Sequence, residues 1–150
     1  MTSRHAEVEQ VWPRDGRVLV IGRIVDAALT PPARTTAILT LTNRDRPDLV
    51  LSCPATVDGG RFRAAFPIEL VVSAVACREI GGRQVWDLHL RLPGDPEPLR
   101  VGRHLDDIRD KKKVMTFPAQ TSEAPAGAVS VKPYYTVMRN LSLISRPVHS

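Results

Sequence analysis

Apolar and polar residues alternate one by one along much of this chain. The cleanest run is Gln84-Val85-Trp86-Asp87-Leu88-His89-Leu90-Arg91-Leu92, where Trp86, Leu88, Leu90 and Leu92 share one face and Asp87, His89 and Arg91 the other. A period of two describes a pleated strand with one buried and one wet face, as an antiparallel sheet provides. Arg17–Val25 and Thr36–Thr42 read as further strands from their β-branched content. Gly22, in the middle of the first of these, predicts a bulge or a close backbone approach. Leu49–Cys53 is a strand expected to stop or bend at Pro54, and Asp58-Gly59-Gly60 is a hairpin turn leading into Arg61–Phe66.

Other windows are less regular. The first ten residues are polar and are expected to fray, with Val8, Gln10 and Trp12 as the alternative of an edge strand. Pro13–Gly16 is a turn by composition, and Thr30–Arg34 a loop. Pro67–Arg78 fits either a short helix or a loop and strand, because periodicity does not separate them. Leu99–Gly102 returns as a short strand, and Val114–Phe117 is a candidate for another. Ala119–Ala128 reads as a mobile loop, and Val129–Val137 and Leu141–Ile144 as closing strands.

Eight to ten short strands with frequent turn signals predict an all-β protein. The expected architecture is an antiparallel immunoglobulin-like β-sandwich, with a small β-barrel as the alternative. Residues 15–146 form the expected domain, with 1–14 a flexible N-terminus or edge strand and 147–150 a tail.

Composition alters this picture little. The chain has 150 residues, 43% of them hydrophobic and 25% charged, which suits one globular domain. No run of about 18 apolar residues is present, and the N-terminus lacks the apolar stretch of a secretory signal, so a cytoplasmic location is expected. Cys53 and Cys77 have no metal-binding spacing and read as reduced, buried thiols, with a disulfide as the alternative.

The net charge of +5 is uneven: residues 1–98 carry 12 Lys/Arg and 12 Asp/Glu, residues 99–150 carry 9 and 4. The basic patch Lys111, Lys112 and Lys113 falls in that excess. No aromatics are interleaved with it, which argues against nucleic acid but leaves a polyanion open. No Ser-His-Asp spacing, phosphate loop or metal-ligand set is found, so no catalytic residue, metal or cofactor is assigned; His104 with Asp106 and Asp107 is too sparse for a metal.

The least generic stretch is Pro133-Tyr134-Tyr135-Thr136, followed by Asn140-Leu141-Ser142-Leu143. In a strand the two tyrosines point to opposite faces, one into the core and one outward. The candidate ligand or partner surface is therefore Tyr134, Tyr135, Thr136, Arg139 and Asn140, with Asn140 also readable as a turn residue. Trp86 belongs to the core, and Trp12 is an exposed or edge residue that could make a contact.

Together with Phe62-Arg63-Ala64, Pro67 and Leu70, and with Trp86-Asp87-Leu88-His89-Leu90, this block resembles a β-sandwich domain. Such domains accompany actinobacterial glycosyltransferases and teichoic-acid-type CDP-glycerol glycerophosphotransferases. Arg139 stands where that family has glycine, and Gln84-Val85 replaces the glycine usual before Trp86. The resemblance implies a non-catalytic accessory module that binds a glycosyltransferase, another protein, or a glycan or teichoic-acid-like polymer, membrane-peripheral only through a partner. The alternative is a small β-barrel enzyme or binding protein for an apolar metabolite in actinobacterial specialised metabolism.

Overall fold

The computed structural model describes residues 5–25, 34–77, 82–93, 97–102, 117–124, 127–136 and 140–148. Its elements are β1 (His5–Arg14), β2 (Arg17–Val25), β3 (Thr35–Asn43), β4 (Val50–Asp58), β5 (Arg61–Pro67), α1 (Glu69–Cys77), β6 (Gln84–Arg91), β7 (Leu99–Gly102), β8 (Gln120–Ala124), β9 (Gly127–Tyr135) and β10 (Leu141–Pro147).

The all-β expectation holds, and the sheet closes into a barrel. Strands run in the order β3-β4-β5-β2-β1-β7-β6, and β6 pairs back onto β3 through Ile38–Asn43 against Trp86–Arg91. Seven strands thus form a ring, and β10, β9 and β8 extend from β6. Of the two architectures open from sequence, the barrel describes the closure. The inward faces pack as one cluster that includes Val20, Leu39, Phe62, Phe66, Trp86, Leu88, Leu143 and Val131. Each of these comes from the apolar half of an alternating strand, so the period-two pattern becomes the core directly. The polar atoms buried with them are partnered: Trp86 Nε1 donates to Ser145 Oγ at 3.0 Å, and Asn43 Nδ2 to Gln84 Oε1 at 3.0 Å.

Several local expectations change. From His5 onward the N-terminal segment is a strand, the alternative to fraying: β1 pairs with β2 from His5↔Val25 to Arg14↔Arg17, and His5–Glu7 pair in parallel with β7. Gln10–Arg14 have no strand partner on that second side among the described residues, so β1 is an interior strand at one end and an edge at the other. Pro13 lies in β1 opposite Val18, and the turn narrows to Asp15 and Gly16, both at positive φ (57° and 73°). That is the two-residue geometry whose twist suits a hairpin.

Strand β4 does not stop at Pro54. The proline faces Ile38 of β3, and β5 pairs only from Ala55 onward, so its missing N–H falls where the β5 ladder ends. The ambiguous window is the helix α1, where Val71 and Val72, with Ile68 just before it, are buried in the core cluster and the helix packs against β8 and β9. The supposed loop at Ala119–Ala128 contains β8, hydrogen-bonded to β9 from Gln120↔Val131 to Ala124↔Gly127. Its polar sequence reflects a strand at the end of the sheet with little to bury. The candidate strand at Val114–Thr116 lies outside the described residues, and Phe117 is not in a strand.

Gly22 serves both purposes its position suggested. A bulge at Glu9 shifts the β1–β2 register between Val8 and Gln10, next to the Val8↔Gly22 pair. A Cβ on Gly22 would collide with the Glu7 carbonyl oxygen and come within 2.7 Å of the Phe62 ring. The bulge bends β1 across β2 closely enough that only a hydrogen fits. Gly22→Ala is expected to destabilise the fold by about 3 kcal/mol, read as a lower denaturant midpoint with an unchanged slope. An unchanged midpoint would show that this crossing can relax.

Candidate functional site

Two outward faces of the barrel carry chemistry. The first lies over β9, β10, β6 and β3, where register aligns Tyr134, Ser142, Asp87 and Thr42 in one row. Tyr134 is half-buried and faces outward, whereas Tyr135 is 4% exposed and packs near Phe117 with ring centroids 5.8 Å apart. The opposite-face expectation for the tyrosines holds, with Tyr134 the outward member. Thr136 and Asn140 close the β9–β10 connection: Thr136 N–H donates to the Asn140 carbonyl at 2.8 Å, and Asn140 N–H to Thr136 Oγ1 at 3.2 Å. The side chain that closes this turn is therefore the threonine's. Arg139 lies outside the described residues, as do Lys111, Lys112, Lys113, His104, Asp106 and Asp107.

Beside Tyr134, Asp87 joins a compact polar cluster. Arg44 bridges its carboxylate at 2.7 and 3.3 Å, Arg100 Nη2 donates to Oδ1 at 3.1 Å, and Ser142 Oγ donates to Oδ1 at 2.7 Å. Arg100 also donates through Nη1 to the carbonyls of Leu88 at 2.8 Å and Leu141 at 2.7 Å. These carbonyls sit at a fork. One edge of β6 pairs with β10 through Gln84–Asp87 and with β7 through His89 and Leu90, leaving Leu88 between the ladders. The Arg100 guanidinium supplies donors where backbone pairing breaks off, as its fork of N–H groups allows.

Burial would raise the Asp87 pKa, but bonds from Arg44 and Ser142 and the charge of Arg100 outweigh it and leave it lowered. His89, outward and half-buried next to Arg100, has its pKa lowered by burial and then by that positive charge. Every strong donor in this cluster is already engaged with the backbone or with Asp87. The cluster therefore holds the sheet together. Cys53 is a free, buried thiol whose pKa burial raises to about 11, so it is protonated and unreactive at neutral pH. Among the described residues, no three His, Cys, Asp or Glu side chains converge to hold a metal.

The second face covers β1, β2 and β5, and three consecutive rows of outward side chains define it. They are Arg14–Arg17–Pro67, Trp12–Leu19–Ala65 and Gln10–Ile21–Arg63. A groove of about 420 Å³ runs over them, lined by Trp12, Leu19 and Ala65 along its apolar middle and by Arg14, Asp15, Arg17 and Arg63 around it.

Trp12 is 46% exposed, its Nε1 donates to Gln10 Oε1 at 2.9 Å, and the Arg14 guanidinium lies 5.4 Å from its ring centre. An exposed indole tethered at its edge presents a flat apolar plate. Further along the same face, Arg23 pairs with Glu7 at 3.0 Å and Arg61 with Glu9 at 2.5 Å. Arg17 and Arg63 have no acidic partner among the described residues, and Arg14 has only the Trp12 ring. On the β1–β2–β5 face, among the described residues, the arginines without an acidic partner are those around the groove.

Sequence reading marked Trp12 as a contact candidate but did not find the arginines that accompany it. Their outward positions were legible in the alternation of Arg17-Val18-Leu19 and Phe62-Arg63-Ala64. Their meeting depends on β5 pairing with β2, three strands back in the chain, which no local pattern records.

No protein-family model and no curated protein matches this chain. Its fold is similar to two solved structures of S. aureus TarS. One has a TM-score of 0.68 at 11% identity, covering 97% of this chain and 25% of the TarS chain. The other, TarS 217–571, has a TM-score of 0.68 at 12% identity, covering 99% of this chain and 40% of that one. This chain therefore has the fold of a β-domain within TarS and spans well under half of either solved chain. Among the described residues, no helix is long and apolar enough to cross a membrane.

Two measurements check these faces. Because the folded Asp87 pKa lies below its unfolded value, its contribution to stability is complete above the unfolded carboxylate range near pH 4. It is lost as pH falls through the lower folded value. The melting temperature of the wild type should fall more steeply from pH 5 to pH 2 than that of Asp87→Asn; parallel curves would remove Asp87 from the account. At the groove, iodide should quench Trp12 emission more than caesium does, because the arginines concentrate anions. In Trp12→Phe the remaining emission, from buried Trp86, should resist both quenchers; equal quenching by the two ions in wild type would deny the local positive field.

Proposed function

We propose that this chain is a non-catalytic accessory module associated with a cell-envelope glycosyltransferase, and that it binds a glycan on the β1–β2–β5 face. The observation that carries the reading is the Trp12 groove, an exposed indole over an apolar strip with unpaired arginines on its rim. Sugars offer flat C–H faces that stack on indole and polar edges that accept hydrogen bonds from guanidinium groups. The groove is shallow, which suits a segment of a long chain lying across the sheet.

The similarity in fold to a part of TarS supports the association with a glycosyltransferase, as does the sequence resemblance at Pro133–Leu143. The module would hold polymer near the active site of a partner, or of a larger chain, at the cytoplasmic face of the envelope. Tyr134, half-buried beside Arg44 and Asp87, with Thr136 and Asn140 at the same end of β9 and β10, is left as a surface for that partner protein. The apolar-metabolite alternative has little support, because the barrel interior is occupied by the core cluster.

Co-sedimentation with insoluble cell-wall glycan tests the reading. The purified chain should be retained, and Trp12→Ala should weaken retention by at least ~10-fold at an unchanged melting temperature. Failure of the wild type to bind, or indifference to Trp12→Ala, would overturn it.

A further inference from the structure

We propose that Gln120 is a positioning residue for the Trp12 groove, its side-chain amide holding the β1–β2 turn that presents one end of the basic rim. This rests on the glycan-binding reading above and adds what keeps that site in shape. Arg14, Asp15 and Arg17 line the groove at this end and belong to the turn or flank it. The turn is weakly fastened by its own ladder. Gln10–Arg14 have no strand partner on the second side of β1 among the described residues. On the β5 side Arg17 lies opposite Pro67, which has no N–H to donate. Gln120, 104 positions from Gly16 in the chain, supplies the missing fastening.

Gly16 N–H donates to Gln120 Oε1 at 2.7 Å, and Gln120 Nε2 donates to the Arg17 carbonyl at 2.7 Å. A carboxamide carries an acceptor and a pair of donors side by side, so it takes both partners as a neighbouring peptide group would. Ile68 N–H holds the same turn from the start of α1, donating to the Gly16 carbonyl at 2.9 Å. Ser122, two residues further along β8, bonds Glu69 of α1. Of these two ties from β8, the one at Gln120 reaches the turn. Gln120 does not itself line the groove and acts through the residues that do. A turn fixed in advance spares a ligand the cost of ordering Asp15 and Arg17, and that saving appears as affinity.

Amide hydrogen exchange and glycan retention, measured on the same variants, separate positioning from simple support. Gln120→Met keeps the length of the side chain and removes both bonds. Ser122→Ala removes the other tie of β8 and leaves the turn alone. In Gln120→Met the Gly16 amide should exchange at least ~5-fold faster, as the loss of one hydrogen bond implies. Its retention on insoluble cell-wall glycan should weaken at least ~5-fold, with a smaller excess of iodide over caesium quenching at Trp12. Ser122→Ala should match the wild type in all three measurements. Unchanged Gly16 exchange or unchanged retention in Gln120→Met would overturn the positioning role and leave the glycan-binding reading standing. Equal losses in the two variants would show a general loosening of β8 and overturn it as well. Failure of the wild type to be retained would overturn both, because no ligand site would remain to be positioned.

Discussion

The fold depends on what happens along one edge of β6. That strand pairs with β3 on one side to close the ring, and on the other it serves two strands in turn, β10 and then β7. A strand edge can hand over from one partner to another only if the backbone groups at the handover find other partners. Arg100 meets that need, binding carbonyls of β6 and β10 and the Asp87 carboxylate with one guanidinium. Asp87 and Ser142 hold the guanidinium in place, and Arg44 ties the turn after β3 to the same carboxylate. A barrel and a three-strand extension can therefore share β6 without an orphaned fork.

This arrangement also separates the two outward faces by role. Over β6 the charged groups Arg44, Asp87 and Arg100 are turned on one another and on the backbone, where they hold strands together. Over β1, β2 and β5 the sheet needs no such help, because these strands pair without interruption apart from the bulge at Glu9. Arginines there are left pointing outward around the Trp12 groove. The bulge itself brings Glu9 within reach of Arg61, and so helps confine the free charge to the Trp12 end.

The departures from sequence expectation share a cause. Pro13, Pro54 and the polar run at Gln120–Ala124 each carried a local signal against strand, and each lies in one. Proline stops a strand only when its N–H side must be paired, and polar residues oppose a strand only when both faces must be buried. Whether those conditions apply is a property of the neighbouring strand, and these three segments lie where pairing ends or one edge is open. Gly22 was legible for the opposite reason: a glycine inside a β-branched run has few uses other than a close crossing.

Which residues face inward is written in the chain, because a two-residue period assigns each side chain to a face before any partner is chosen. Written there too are the all-β class, the Asp58–Gly60 hairpin, the burial of Trp86 and the opposite facing of Tyr134 and Tyr135. That the sheet closes, that β6 forks, and that Trp12, Arg17 and Arg63 share a groove emerges from strand pairing alone. Those depend on which strands lie side by side, and β2 with β5 or β3 with β6 are joined across long stretches of chain. Alternation fixes the faces of a strand and carries no record of its neighbour.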